Sequence, residues 1–395
     1  MANTIQYREL KRRYDLDGAK ATVKHLSEAI KAKQLTVEDF SIRDLAEALV
    51  PDGREWVRSL DPRNASPIVE DGVDSTAFSN ITGQLLISKV MDAYQSEQFV
   101  LSGLIPSTPT RLNGEKIPGI ARVGDKGEVV AEGMPYPNVG FGEDYIETPS
   151  TVKYGLIIPV TKEAIFFDRT NLITSRAAEV GEILGIAKEK RLLDLLVGSV
   201  NNYKWKGTTY DTYSIDGTTG AAGGTAWGGI NSVSGAELID WTDVDTVEQL
   251  FVDLTDPNTG EPILVSAMQV LVMPAYRHAA QRIFNATEIR YTGSTAPTQT
   301  LAPNPLSGYS WYESRLAQSR IVAGGETAAN AKKWWFMGNF AKAFAYMENW
   351  PITVTQAPSN NEAEFTQDIV LRFKASERGV AAVIDPRYVA KAYQA

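Results

Sequence analysis

The alternation of apolar and polar positions is sharpest just after residue 150. Val152, Tyr154, Leu156, Ile158 and Val160 fall on one face, and Thr151, Lys153 and Gly155 on the other. This is the period-2 pattern of a half-buried strand. Pro159 has no N–H to donate to a ladder, so the pattern predicts a sheet edge there. A short helical turn over 161–167, capped by Thr161, leads into a longer helix starting at Asp168 or Thr170. In that helix Ile173, Ala177, Val180, Leu184 and Ala187 recur every three or four residues. Arg176, Glu179, Glu182, Lys188, Glu189 and Lys190 make its polar face, and from Leu192 to Val197 it is apolar nearly all round. Gly198 is a natural stop. About 27 residues at about 1.5 Å each predict a rod of about 40 Å.

The same periodicities divide the rest of the chain. Residues 1–98 read mainly as helices: one over 21–31 with the stripe Val23, Leu26 and Ile30, a capped turn from Thr36 to Asp39, an apolar face at Ile42, Leu45 and Leu49, and a further helix over 73–93. Pro51–Gly53 is a turn. Residues 99–150 are punctuated by proline and glycine, with strand-like pieces only at 117–122 and 128–131. Large apolar residues are few there and charges many, so the segment buries no core of its own and predicts an extended two-stranded arm lying on another surface, or a disordered one. Residues 201–237 are rich in Gly, Thr, Ser and Asn, with Tyr203, Trp205, Tyr210, Tyr213 and Trp227 spread through them. Aromatics pinning a loop to its own domain is the favoured reading over a stacking surface for sugars or bases. A packed α/β unit follows: a helix capped by Thr242 with the stripe Val244, Val247, Leu250, Phe251 and Leu254, strands at 263–265 and 270–273, and a helix over 275–284 opened by Pro274. Strand-like runs recur at 334–337, 341–346, 352–355, 369–373 and 380–384.

Composition narrows the chemistry. The 395 residues contain no cysteine, which excludes disulfides, thiolate metal sites and cysteine nucleophiles. Residues 1–20 hold no apolar run, so no secretory leader is expected, and no stretch approaches the roughly 18 apolar residues that span a bilayer. The net charge of −9 argues against a protein that grips nucleic acid with its whole surface. Residues 1–33 nevertheless carry eight basic and four acidic residues, leaving −13 on the remainder; such a segment suits a solvated helix face or an arm that touches phosphate. Only two histidines occur, His25 and His278, and neither sits in a catalytic motif. Nucleophile-elbow, phosphate-loop and zinc-protease signatures are absent. Carboxylate pairs such as Glu143/Asp144 or Asp211/Asp216 are what chance gives among 48 acidic residues.

Three segments together resemble the major capsid proteins of tailed bacteriophages, the Hong Kong 97-type fold. The run Lys153-Tyr-Gly-Leu-Ile-Ile-Pro-Val-Thr-Lys-Glu163, followed by Asp168 through Leu196, resembles that family's return strand and spine helix. Gly338-Asn-Phe340 with Trp350-Pro-Ile-Thr-Val354 is similar to the strands returning from its axial domain. Residues 368–389, with Arg372, Glu377, Arg378 and Pro386 at matching positions, resemble its closing strand pair. Order and spacing agree over roughly residues 75–395; the first 70 or so residues and the 201–237 segment fall outside the resemblance.

The resemblance implies an α+β fold with a long spine helix at about 169–197 and an extended β-arm, the E-loop, at 99–155. It implies a peripheral domain from 156–240 and 351–377, and an axial domain from 241–350 and 378–395, behind an N-terminal helical arm at 1–98. It implies a structural shell protein with no catalytic, metal or cofactor site. The expected partners are further copies in hexamers and pentamers, non-specifically packaged double-stranded DNA, and portal, scaffold or decoration proteins, with no membrane partner. The expected location is the virion capsid, assembled in the host cytoplasm. The arm contacts expected between subunits are Arg111, Lys116, Arg122, Lys126, Glu128 and Glu132, and the expected DNA-proximal residues are Arg8, Lys11, Arg12 and Arg13. An encapsulin-like compartment is the alternative within the same fold, and a carboxylate-based hydrolase the alternative outside it.

Overall fold

The computed structural model describes residues 7–32, 42–49, 54–55, 57, 76–119, 130, 132–134, 144–161, 165, 172–256, 259–265, 268–292, 299–357 and 369–394. The expected turns at 36–39 and 51–53 lie outside the described residues, as does most of 128–131 and of 161–167. The strands in chain order are β1 (Ser107–Pro109), β2 (Lys116–Pro118), β3 (Tyr145–Glu147), β4 (Val152–Thr161), β5 (Tyr203–Trp205), β6 (Thr208–Tyr210), β7 (Ser232–Ser234), β8 (Gln269–Val272), β9 (Glu288–Thr292), β10 (Gln299–Pro303), β11 (Ser310–Glu313), β12 (Trp335–Gly338), β13 (Phe344–Gln356), β14 (Ile369–Val383) and β15 (Val389–Tyr393). The chain forms two compact units, one of Met1–Gln98, Lys153–Ala187 and Trp350–Arg378, the other of Phe99–Val152, Lys188–Asn349 and Gly379–Ala395.

The first unit is helices on a strand layer. Helices Tyr7–Asp17, Ala19–Lys31, Ile42–Leu49 and Thr76–Tyr94 turn Leu26, Leu45, Leu49, Ile81, Leu85 and Val90 inward. They share a core with Ala177 and Leu184 of the helix Leu172–Val197 and with Ile158, Val160, Ile352 and Phe373 of the strands. Gly181 is the crossing point: a Cβ there would stand 2.3 Å from the Val90 carbonyl oxygen, so only glycine lets helix Thr76–Tyr94 come this close. β4 lies at the edge of its sheet, next to β14, as Pro159 requires. Its expected apolar face is only half used. Ile158 and Val160 are buried, whereas Val152, Leu156 and Ile157 are exposed, because this end of the strand runs off the core. Glu377 is buried on β14 and accepts a hydrogen bond from the Tyr94 hydroxyl.

The second unit is organised by a five-stranded sheet in the order β11-β8-β12-β15-β7. β12 runs antiparallel to both β8 and β15, while β11 and β7 add parallel edges. Val270–Met273, Trp335–Met337 and Val389–Ala390 are buried residue after residue, the mark of strands covered on both faces. Helix Trp241–Val252 contributes Val244, Val247 and Phe251 to the same core, and helix Arg315–Ala323 adds Ala317 and Ile321. The cap of the first of these is Asp240, not Thr242. The Asp240 carboxylate accepts from the Thr242 N–H and Asp243 reaches back to the Asp240 N–H, closing a capping box. Residues 263–265 form no strand. The runs expected at 341–346 and 352–355 are one strand, β13, preceded by the helical turn Phe340–Ala343, and the runs at 369–373 and 380–384 are likewise one strand, β14.

The apolar end of the long helix belongs to this second core: Leu192, Leu193, Leu195, Leu196 and Val197 are all buried. Gly198 ends it at φ +80°, where its own N–H and that of Ser199 take up the Leu195 and Asp194 carbonyls. Lys188 and Glu189, expected on the solvent face, are buried. Glu189 accepts from the N–H groups of Leu101 and Ser102 at 2.8 Å each and from the Ser102 hydroxyl at 2.7 Å. A carboxylate caps the first turn of helix Val100–Leu104, and those donors explain why it tolerates burial.

Candidate functional site

The segment expected to act as an arm begins as a polar construction. Between Ser107 and Thr151, Ile146 is the one large apolar side chain buried among the described residues. Hydrogen bonds hold the rest. Thr110 donates its N–H to the Glu348 carbonyl, and the Asn349 amide donates to the carbonyls of Thr110 and Leu112. Asn113 Oδ1 accepts from both the N–H and the hydroxyl of Thr151, fastening the two ends of the segment together.

β2 and β3 pair antiparallel, with Lys116 opposite Glu147 and Ile117 opposite Ile146. The sheet continues through β5 to β6, so the 201–237 segment supplies the strands on which the arm's base rests. The favoured reading of its aromatics holds: Tyr203, Tyr213 and Trp227 are buried in their own unit. The hairpin from β5 to β6 turns at Lys206 (φ +49°) and Gly207 (φ +82°), both in the left-handed region that a two-residue hairpin turn demands. That Lys-Gly pair between alternating aromatic and polar residues was the sequence signal for this hairpin.

Cross-strand charge pairs line this sheet. Glu147 accepts a hydrogen bond from the Lys204 ammonium and lies 3.7 Å from Lys116 Nζ, and Lys204 is the main cause holding its carboxyl below the usual carboxylate range. Lys116 Nζ also stands 4.0 Å over the Tyr145 ring. Lys206 lies 3.8 Å from Asp144, whose carboxylate accepts from the Trp205 indole N–H. An open groove of about 580 Å³ runs beside the sheet, walled by polar groups including Asn113, Lys116, Glu147, Asn202 and Lys204.

The expected contact residues are distributed as follows. Arg111, Lys116 and Glu132 are exposed, and Lys116 is engaged by its own hairpin. Arg122, Lys126 and Glu128 lie outside the described residues. Arg8 and Lys11 fall on helix Tyr7–Asp17; Arg12 and Arg13 of that helix are exposed, with Arg13 Nη1 3.2 Å from His25 Nε2. Lys204, Lys206 and Glu147 are charged residues of this surface that the sequence did not single out, and Asp144 was considered there only as half of a carboxylate pair.

Asp211 and Asp216, two of the carboxylates considered for hydrolysis, are spent on structure, and Glu143 lies outside the described residues. Asp211 accepts from the N–H groups of Ala222 and Gly224, and Asp216 from those of Thr218 and Thr219. Those N–H bonds pull the Asp216 carboxyl down to about 2. His25 and His278 are both exposed. Among the described residues there is no cluster of three metal-binding side chains, and no helix is long and apolar enough to cross a membrane.

A family model described as phage capsid protein matches residues 145–392, well over half of the chain. No curated protein matches the chain. Among solved structures, the capsid of a native GTA particle aligns at 16% identity and a TM-score of 0.47, over 76% of this chain and 91% of that one. A Gordonia phage Cozz chain aligns at 13% identity and 0.44, over 76% and 87%. The holo-SrpI encapsulin complex from Synechococcus elongatus PCC 7942 aligns at 10% identity and 0.42, over 75% and 87%. Likenesses this remote do not separate a phage shell from an encapsulin, whereas the family match does. The observed elements, with the arm before β4, β4 before the long helix, and β14 and β15 closing the chain, follow the order that the Hong Kong 97-type resemblance implied. The chain belongs to the phage capsid protein family: it is a structural protein of the bacteriophage virion rather than an enzyme, and it works by associating with further copies of itself.

Proposed function

We propose that this chain is the repeating subunit of an icosahedral shell, set in rings of five and six, which encloses double-stranded DNA. The observation that carries the reading is the poverty of the arm. From Ser107 to Thr151 the described residues bury one large apolar side chain, while ordering a backbone costs about 1–2 kcal/mol per residue. A segment like this is completed by a surface outside its own subunit, and a closed lattice supplies one at every position. Val152, Leu156 and Ile157, exposed on β4 where the arm returns, supply apolar area for the same contact.

In this reading 99–155 is the extended loop lying on the adjacent subunit, with Arg111, Lys116, Arg122, Lys126, Glu128 and Glu132 making polar contacts. Residues 156–240 and 351–377 form the peripheral domain, and 241–350 with 378–395 the axial domain. The acidic balance of the chain keeps the wall from adhering to packaged DNA. The basic segment carrying Arg8, Lys11, Arg12 and Arg13 faces inward, toward phosphate. Assembly takes place in the host cytoplasm, with portal and scaffold or decoration proteins as further partners.

Sedimentation and negative-stain imaging of the purified chain test the reading. Closed particles tens of nanometres across, with five- and six-fold rings, are expected. A stable monomer under all assembly conditions contradicts it, and shells loaded with a protein cargo instead of DNA favour the encapsulin-like compartment.

A further inference from the structure

The second unit holds a buried lysine for which shell building gives no use. Lys391 sits mid-strand on β15, and its side chain ends in a cavity of about 290 Å³. The walls include Asn201, Asp211, Tyr213, Glu326 and Trp334. Lys391 is 6% exposed. Its amine stands 4.9 Å from the centre of the Tyr213 ring, 4.7 Å from Trp334 and 4.9 Å from Tyr393. No carboxylate among the described residues comes within ion-pair distance of it. Glu326 and Asp211 act on it from farther off, and the Asp211 carboxylate is already held by two backbone N–H groups. The Tyr213 hydroxyl is turned away, donating to the Leu196 carbonyl.

A lysine that merely filled space would reach solvent with its ammonium or meet a carboxylate. This one does neither, and it opens on a space near the lower end of the volumes that take small molecules. Desolvation without a close counter-charge is how proteins make a lysine nucleophilic. The ring faces, Glu326 and Asp211 favour the ammonium, but burial is the larger effect and lowers the amine to about 8.

We propose that Lys391 is a nucleophilic amine and that its cavity is a modification site for small aldehydes and ketones, taken up as an imine. The nitrogen lone pair attacks the carbonyl carbon, forming the C–N bond while the carbonyl π pair moves to oxygen. A proton passes from nitrogen to that oxygen, giving the carbinolamine. The hydroxyl then leaves with a second proton as water and C=N forms, so no electrons are gained or lost.

The size of the effect can be set in advance. At pH 7 about one tenth of an amine titrating near 8 is neutral, against roughly one in 2,500 for an ordinary lysine near 10.4. Lower basicity weakens the nucleophile by about tenfold over that interval if amines follow the dependence known for thiols. A net advantage of roughly 20-fold remains.

The test is reductive alkylation of the full chain with acetaldehyde and cyanoborohydride, read by site-resolved mass spectrometry from pH 6 to 10. Lys391 is expected to label at pH 7 at least about tenfold faster than the exposed Lys24 and Lys116, with a midpoint near pH 8, and to lose that preference in denaturant. Glu326→Gln removes a group that favours the ammonium, so it moves the midpoint to lower pH while leaving the fold unchanged. Labelling of Lys391 no faster than of exposed lysines in the folded chain overturns the proposal, as does a preference that survives denaturation.

Discussion

Two sheets of the same unit are held together by different forces. The five-stranded sheet β11-β8-β12-β15-β7 places Trp335, Phe336 and Met337 on its third strand, all fully buried. Beside β7, Asn231 is buried and engaged on all sides: its amide donates to the carbonyls of Thr212, Pro386 and Val389 and its Oδ1 accepts from the Ser214 N–H. The four-stranded sheet β2-β3-β5-β6 has Ile146 and Tyr203 fully in the core, sets Ile117, Trp205 and Tyr210 half-buried against it, and is tied across by part-exposed pairs such as Lys204–Glu147 and Lys206–Asp144. Burial of a large apolar side chain contributes about 1.5–3 kcal/mol, whereas an exposed ion pair contributes about 0–1. The first sheet is thus stable within one subunit. The second leans more on charge pairs, so its stability should depend on salt and pH.

The largest expected effect breaks the first sheet. Trp335→Ala should cost about 3–5 kcal/mol in denaturant unfolding, through lost burial and the cavity left behind. The same variant should abolish assembly, because the subunit itself no longer holds. Asn231→Ala comes next, at about 1–3 kcal/mol, since it leaves the Ser214 N–H without its buried acceptor and removes a donor from three carbonyls, of which Thr212 keeps the Trp227 indole and Pro386 the Val389 N–H.

Charge changes on the arm should do the reverse, leaving the fold and removing the lattice. Reversing Lys116, Arg122 and Lys126 to glutamate is expected to give folded protein by circular dichroism that fails to close shells at low salt. Lys116 is paired with Glu147 in its own hairpin, so the Arg122→Glu/Lys126→Glu double variant separates the arm's external contacts from that internal pair. If the double variant sediments as wild-type shells at low salt, the outer arm charges do not hold the lattice.

The smallest expected effect is acid loosening confined to the second sheet and the turn beside it. Glu147 and Asp216 both have carboxyls held below their ordinary values, by Lys204 and by the N–H groups of Thr219 and Thr218. A lowered carboxyl stabilises the folded state above its unfolded value, near 4, and that contribution fades as pH falls. For Asp216 the loss should run from about pH 4 to about 2. Protection of the Thr218 and Thr219 amides, measured against the unstructured exchange rate at each pH, should fall over that window in wild type, and Asp216→Asn should lack that protection throughout.

Local repetition made much of this fold legible and tertiary partnership hid the rest. The long helix, its apolar end at Leu192–Val197, the stop at Gly198 and the stripe Leu26, Leu45, Leu49 all follow from 3.6-residue periodicity and glycine chemistry. Glu189 was misplaced because its partners, Leu101 and Ser102, lie more than 80 residues away and leave no mark on the helix itself. Nothing in the sequence marks Gly181 as the place where the Val90 carbonyl comes against the long helix. The polar character of the 107–151 segment was legible from its few apolar residues. The sheet it joins was not, since the pairing of β3 with β5 joins two segments with no shared pattern. Lys116 was singled out from the arm's charge alone, whereas Glu147 and Lys204 acquire meaning only from the register that aligns them.

The central claim is that the arm is completed by a neighbour while the five-stranded sheet is complete in the single subunit. Hydrogen exchange on unassembled subunits and on closed shells tests it most directly. Amides of Trp335–Gly338 should be equally protected in both states, and those of Lys116, Ile117 and Tyr145–Glu147 should exchange at least about tenfold more slowly in shells. Equal protection of the arm in the free subunit would contradict the account.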